Sequence, residues 1–212
     1  MLRILILDFD GVIVESNNAK TEAFCELFSM FPSHADHMMA YHYEHVSVTR
    51  FAKFDHLLQR LGKKDDRRLR ADMAEKFSLL VRKRMLEVPL VPGAETFLQT
   101  IATKLPTYLA SVTPAEELEE ILVHHNLLHW FRNVYGCPPW TKPEAILDIL
   151  NTEKISPSEA LLIGDSAGDQ RAAHETGVQF LGRDSGLPFD EPDPKQFPDM
   201  HELGEHLLTN LL

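Results

Sequence analysis

The chain has 212 residues, 44% of them apolar and 25% charged, enough for one ordinary domain or a domain carrying a sizeable insertion. A formal net charge of −11 argues against general nucleic-acid binding, which is built from neutralised phosphates. No apolar run approaches the ~18 residues of a membrane span, no signal pattern opens the sequence, and Cys25 and Cys137 lie far apart without metal-ligand spacing; a cytoplasmic protein without a membrane partner is expected.

The first element is "ILIL" (residues 4–7), an unbroken apolar run that ends in Asp8, Phe9, Asp10 and Gly11. From about residue 17 to 86 the texture changes. This stretch is poor in glycine, holds no convincing strand, and places Phe51, Phe54, Leu57, Leu58 and Leu61 at helical spacing. Residues 50–84 also contain 12 of the 21 lysines and arginines against five acids. That leaves +7 here and −18 elsewhere, an asymmetry that suggests a separate structural unit. Its histidines His34, His37, His42 and His45 would form two pairs about 12 Å apart on one helix, too far for a single ion. They read as a solvated helix face, as do the basic runs 63–70 and 82–84.

"VPLVPG" (residues 88–93) then returns the chain to strand-like texture. Apolar runs at 107–110, 133–135, 160–163 and 178–181 read as strands, and 114–125, 143–150 and 170–175 as helices between them. Residues 182–198, rich in Pro, Asp and Gly, read as a surface loop before a short last helix. Strands alternating with helices predict βαβ units and a parallel sheet, and strands without polar alternation predict helices on both faces. The expected fold is therefore α/β: a three-layer, Rossmann-like parallel core from residues 1–15 and 87–212, with an all-helical domain inserted at 16–86.

In such sheets ligands bind beyond the carboxyl ends of the strands. Those ends offer Asp8 and Asp10, then Ser111 and Thr113, then Lys142 in "TKPEA", and finally Asp165 and Asp169 in "GDSAGD". Each has a plainer reading as a turn residue, a helix cap or a solvated terminus; Thr141 and Glu144 have the spacing of a capping box. Together, acids on one edge repel one another unless a cation sits among them. Carboxylates without a His or Cys cluster suit a hard divalent ion, most simply Mg²⁺. A metal, a lysine, a hydroxyl and spare carboxylates can neutralise, orient and attack a phosphoryl group. With no Gly-rich phosphate loop in the sequence, an aspartate is the available nucleophile.

"DFDGVIVES" (residues 8–16), "SVTP" (111–114), "KPEA" (142–145) and "GDSAGD" (164–169) resemble, in order, the four motifs of the haloacid dehalogenase (HAD) superfamily. The resemblance implies Asp8 as nucleophile and metal ligand, and Asp10 as general acid/base with its carbonyl on the metal. It implies Ser111 and Lys142 on the phosphoryl group, Asp165 completing the Mg²⁺ site, and Asp169 orienting Lys142 or a metal-bound water. Gly11 would line the substrate site, and the helical insertion would be the family's cap. Ser111, nearer its strand, is preferred to Thr113. Val12 and Glu15 depart from the phosphoglycolate-phosphatase pattern toward that of β-phosphoglucomutase, and "HVSVTRFAKF" (45–54) is similar to a cap segment that places Arg50 on substrate. The implied activity is hydrolysis of a small phosphorylated metabolite, a sugar phosphate or phosphoglycolate-like acid; the alternatives are a phosphomutase and, less well matched, a non-enzymatic phospho-receiver domain.

Overall fold

Six parallel strands form one sheet in the computed structural model, which describes residues 2–46 and 48–211. Ser47, within the segment 45–54, and the side chain of Lys83, within the second basic run, lie outside the description. The strands are β1 (Ile4–Leu7), β2 (Thr107–Ser111), β3 (Asn133–Gly136), β4 (Ala160–Gly164), β5 (Gln179–Arg183) and β6 (Gln196–Phe197). Their order is β3-β2-β1-β4-β5-β6. All pairings are parallel.

Every residue of β1, β2 and β4 is buried. Since successive side chains point to opposite faces, both faces of the sheet centre are covered. On one face Ile4, Ile6, Tyr108, Ala110 and Leu162 pack with Ala145, Ile146 and Ile149 of α7 (Lys142–Glu153) and Ala172 and Ala173 of α8 (Ala167–Thr176). This sheet and its helices form one compact unit, Met1–Glu15 with Pro89–Leu212. The expected parallel α/β core is present. The sequence reading passed over α5 (Ala94–Ile101) and took β6 as loop. Helix α5 has helical periodicity, with Ala94, Phe97, Leu98 and Ile101 buried, but over only eight residues, and the two residues of β6 carry no pattern of their own and pair with β5.

The second unit, Ser16–Val88, holds α1 (Asn17–Ser29), α2 (Ala35–Glu44), α3 (Arg50–Arg60) and α4 (Arg67–Glu87), with no strand among its described residues. Helix α3 begins at Thr49, whose hydroxyl caps the Ala52 amide. Its buried stripe is Arg50, Lys53, Phe54, Leu57 and Leu58. Lys63, Lys64, Arg67, Arg68 and Arg82 are exposed, as a solvated face requires. No described helix is long and apolar enough to cross a membrane.

The histidines depart from a uniform solvated face. His42 is 5% exposed, against Phe24. The Thr21 hydroxyl donates to the Asn17 carbonyl at 2.8 Å, so His42 Nε2, 3.0 Å away, donates to Thr21. That leaves Nδ1 as a lone-pair acceptor for Lys53 Nζ at 2.8 Å. Lys53, 1% exposed, also lies 4.8 Å over the Phe24 ring. Burial and then the charge of Lys53 push His42 down to about 3. Burial and then Lys20 push Lys53 down to about 7.

Both shifts have the same sign for stability. The unfolded chain holds protons on His42 and Lys53 that the folded chain has lost, so stability rises with pH from about 3 to 6.5 for His42 and from about 7 to 10 for Lys53. Hydrogen-exchange protection of α1 and α3 should therefore increase between pH 7 and 10 by up to about 4 kcal/mol after correction for intrinsic exchange. Lys53→Met should flatten that rise; protection that is unchanged from pH 7 to 10 in the unsubstituted protein contradicts it.

Candidate active site

The strand order reverses at β1, which lies between β2 and β4, and a crevice at the carboxyl end is expected there. Register places the key residues side by side. Leu7 pairs with Ile163, and the Asp8 amide donates to the Ile163 carbonyl at 2.9 Å. Asp8 thus follows β1 where Asp165 follows β4, and both are buried. Gly11 is forced twice. Its φ is +70, and a Cβ there would lie 1.9 Å from Asp165 Oδ2. Gly164 leaves room for Asp169, since a Cβ would lie 2.2 Å from the Asp169 Cβ.

Lys142 opens α7, behind the capping box of Thr141 and Glu144. The helix-start reading and the site reading are both true of this segment. The Nζ of Lys142 lies 2.8 Å from Asp8 Oδ1 and bonds Asp169 Oδ1. Burial lowers its hold on the proton, but the carboxylates of Asp169 and Asp8 prevail and keep it above the usual lysine range. The other oxygen of Asp169 accepts from the Asp165 amide at 3.2 Å, the Ser166 amide at 3.1 Å and the Ser166 hydroxyl at 2.6 Å. Asp169 is therefore saturated by protein donors and orients Lys142 and the Asp165 loop. Ser166 escaped the sequence reading, although Ser166 and Asp169 have capping-box spacing and form one at the start of α8.

Asp10 faces the end of β2. Its Oδ2 accepts from the Thr113 hydroxyl at 2.9 Å and from the Ser111 hydroxyl at 3.5 Å. Ser111 Oγ also accepts from the Thr113 amide at 3.1 Å. Of the two hydroxyls, that of Thr113 lies nearer Asp10. Arg50 belongs to the helical unit: it is 7% exposed, 4.8 Å over the Phe77 ring, with Nη1 3.3 Å from the Ser78 hydroxyl. Arg50 is thus packed within the helical unit and not a solvated side chain.

The residues present fit a hard cation. One oxygen each from Asp8, Asp165 and Asp169 lie within 4.8 Å of one another. Although Lys142 is near, Asp8 Oδ1 is buried without an aligned hydrogen-bond donor. Burial, then Asp169, Asp165 and Asp10, push Asp8 well above the usual carboxylate range against the opposing pull of Lys142. A divalent ion held by Asp8 and Asp165 would supply positive charge there, and oxygen-only donors suit Mg²⁺.

A family model described as haloacid dehalogenase-like hydrolase matches residues 5–183. A phosphoglycolate phosphatase of Vibrio cholerae is 32% identical over 97 residues, covering 43% of this chain and 43% of its own. The chain thus spans less than half the length of the curated relatives it matches. A haloacid dehalogenase-like hydrolase from Streptococcus pneumoniae shares the fold with a TM-score of 0.76 at 20% identity, covering 97% of this chain and 98% of that one. So does a HAD hydrolase from Bacillus subtilis bound to magnesium, with a TM-score of 0.71 at 18% identity over 99% of each chain.

Gly11→Ala should drive Asp165 from its place and weaken Mn²⁺ binding, read by electron paramagnetic resonance, at least about tenfold. Gly62→Ala carries a similar backbone strain, φ +68, but with nothing within 4 Å of the added carbon. It should leave Mn²⁺ affinity unchanged, and equal effects of the two would refute the steric argument.

Proposed function

Because this chain belongs to the haloacid dehalogenase-like hydrolase family, we propose that it is a Mg²⁺-dependent phosphatase acting on a small phosphorylated metabolite through a phosphoryl intermediate on Asp8. The observation that carries the proposal is Asp8 itself: a buried carboxylate beside Lys142 with one oxygen lacking an aligned donor. The phosphoglycolate phosphatase similarity and the magnesium-bound neighbour support the reaction class and the ion. The free Cys25 and Cys137 are in keeping with a reducing cytoplasm.

In this reading Asp8 attacks phosphorus, forming an Asp8 O–P bond as the ester O–P bond breaks. Asp10, oriented by Thr113 and Ser111, gives its proton to the departing alcohol. It then takes a proton from the water that attacks the acyl phosphate, regenerating both carboxyl groups as inorganic phosphate leaves. Lys142, fixed by Asp169, neutralises Asp8 and the phosphoryl oxygens, and Ser111 and the Gly11 region bound the phosphoryl pocket. When bound, Mg²⁺ supplies charge neutralisation and alignment of nucleophile and phosphoryl group. Arg50 is proposed to hold a second polar or anionic group of the substrate.

Asp8→Asn removes the nucleophile while keeping its shape. Phosphate release from p-nitrophenyl phosphate should fall by at least about 10⁴ with an unchanged melting curve. Retention of more than a few per cent of turnover rejects the covalent route. EDTA should abolish turnover and Mg²⁺ restore it; Ca²⁺, which takes more oxygens at longer range, should not.

A further inference from the structure

Glu15 and Arg183 form an ion pair that the chemistry above does not use. Arg183 closes β5, and its neighbour across the sheet is β4: Gly182 pairs with Gly164, so Arg183 stands level with Asp165. Its side chain is only 8% exposed, against 34% for Glu15. Both terminal nitrogens face the carboxylate, Nη1 at 3.2 Å from Glu15 Oε2 and Nη2 on Oε1. The Nε of Arg183 is buried without an acceptor among the described residues. Its charge therefore leans on Glu15 to a degree that surface pairs do not.

Glu15 is also the last residue before the helical unit, and Pro89 the first after it. The two crossings are tied together on the core: the Glu15 amide donates to the Pro89 carbonyl at 3.0 Å and the Val91 amide to the Ile13 carbonyl at 3.0 Å, with Val14 bridged antiparallel to Leu90. The same segment folds back on the acid. The Ile13 amide donates to the Phe9 carbonyl at 2.9 Å, the Gly11 amide to the Val14 carbonyl at 2.8 Å, and Val14 is bridged to Asp10. From Asp10 to Glu15 the backbone is thus one knot. It is anchored at its near end by β1 and at its far end by Arg183. On the other side of Arg183, the Ser185 hydroxyl lies 3.4 Å from the Asp165 carbonyl.

We infer that Glu15 and Arg183 are a positioning pair that latches the segment 10–15 to β5, and so fixes where Asp10 stands relative to the leaving group. The inference rests on the phosphatase reading for its kinetic consequence but not for the latch itself. Without the pair, the far end of the knot loses its side-chain ion pair and keeps the backbone bonds at the crossings and the buried side chains of Ile13 and Val14. Asp10 then shifts while Asp8, held by β1 and Lys142, stays in place. Loss of the pair is predicted to impair proton donation to the alcohol more than attack on phosphorus.

Two measurements on the full chain test this, using Glu15→Gln, which keeps the shape and removes the charge. The first is kcat/KM along a series of aryl phosphates from p-nitrophenyl to phenyl phosphate. A good leaving group needs little protonation, so the loss should be roughly 10–100-fold larger for phenyl phosphate, the scale of a misplaced acid. Equal losses along the series indicate general damage and overturn the positioning role. The second is hydrogen exchange of the Gly11, Glu15 and Val91 amides, which should quicken about tenfold in the variant while β4 amides do not change. Unchanged exchange overturns the latch. The double variant Glu15→Gln/Arg183→Met removes the stranded charge, so its melting temperature should recover while the leaving-group sensitivity does not; recovery of both would make the pair a stability device only. Should the unsubstituted protein turn over no phosphate ester, the phosphatase reading fails, and the exchange experiment still decides the latch.

Discussion

The rest of the molecule depends on the burial of three carboxylates beside a single ammonium group at one sheet edge. Asp8, Asp165 and Asp169 are almost entirely removed from water, where each isolated charge would cost several kcal/mol. Lys142 offsets part of this, yet it stands at the first turn of α7, where the helix macrodipole disfavours a cation. Its proton is held there because Asp169 and Asp8 outweigh burial. Asp8 is nevertheless left with a raised affinity for protons. One ammonium group is insufficient, and the deficit has the sign that a divalent cation would remove.

That constraint explains features that look local. Helices α7 and α8 both start at the carboxyl edge, as the parallel topology requires, and turn their positive ends toward the acids. Asp169 meets the α8 start through its capping box, so one carboxylate closes a helix, ties down the Asp165 loop and aims Lys142. Gly11 and Gly164 are the spaces into which Asp165 and Asp169 fit. Replacing either glycine adds a carbon where a carboxyl group already is, so the backbone is as much part of the site as the side chains.

Much of this was legible in the sequence, for a physical reason. Buried parallel strands are continuous apolar runs, and their ends are marked by the first polar residue. The 4–7 run is therefore β1, and the acids that follow it stand at the edge. Legibility failed where the signal is three-dimensional. That the Thr113 hydroxyl lies nearer Asp10 than that of Ser111 depends on the path of the chain after β2, which spacing along a strand does not encode. His42 was read with the other histidines as a solvated face because their spacing does not suit one ion; its burial comes from Phe24, Thr21 and Lys53 on other helices. The Glu15–Arg183 pair joins residues 168 positions apart, and nothing in either local sequence announces the other.

The two units also differ in what fills them. The sheet unit confines its charges to the strand ends and packs aliphatic side chains between its layers. The helical unit instead carries Arg50, Lys53 and His42 on buried positions, all three against aromatic rings within the unit. Aromatic faces and neutral acceptors hold such groups less firmly than carboxylates do. An interior of this composition has a smaller margin against local opening than one of β1, β2 and β4, where each buried backbone group also belongs to a ladder. The helical unit is thus the part of the chain whose own interior is the more responsive to protons and charge.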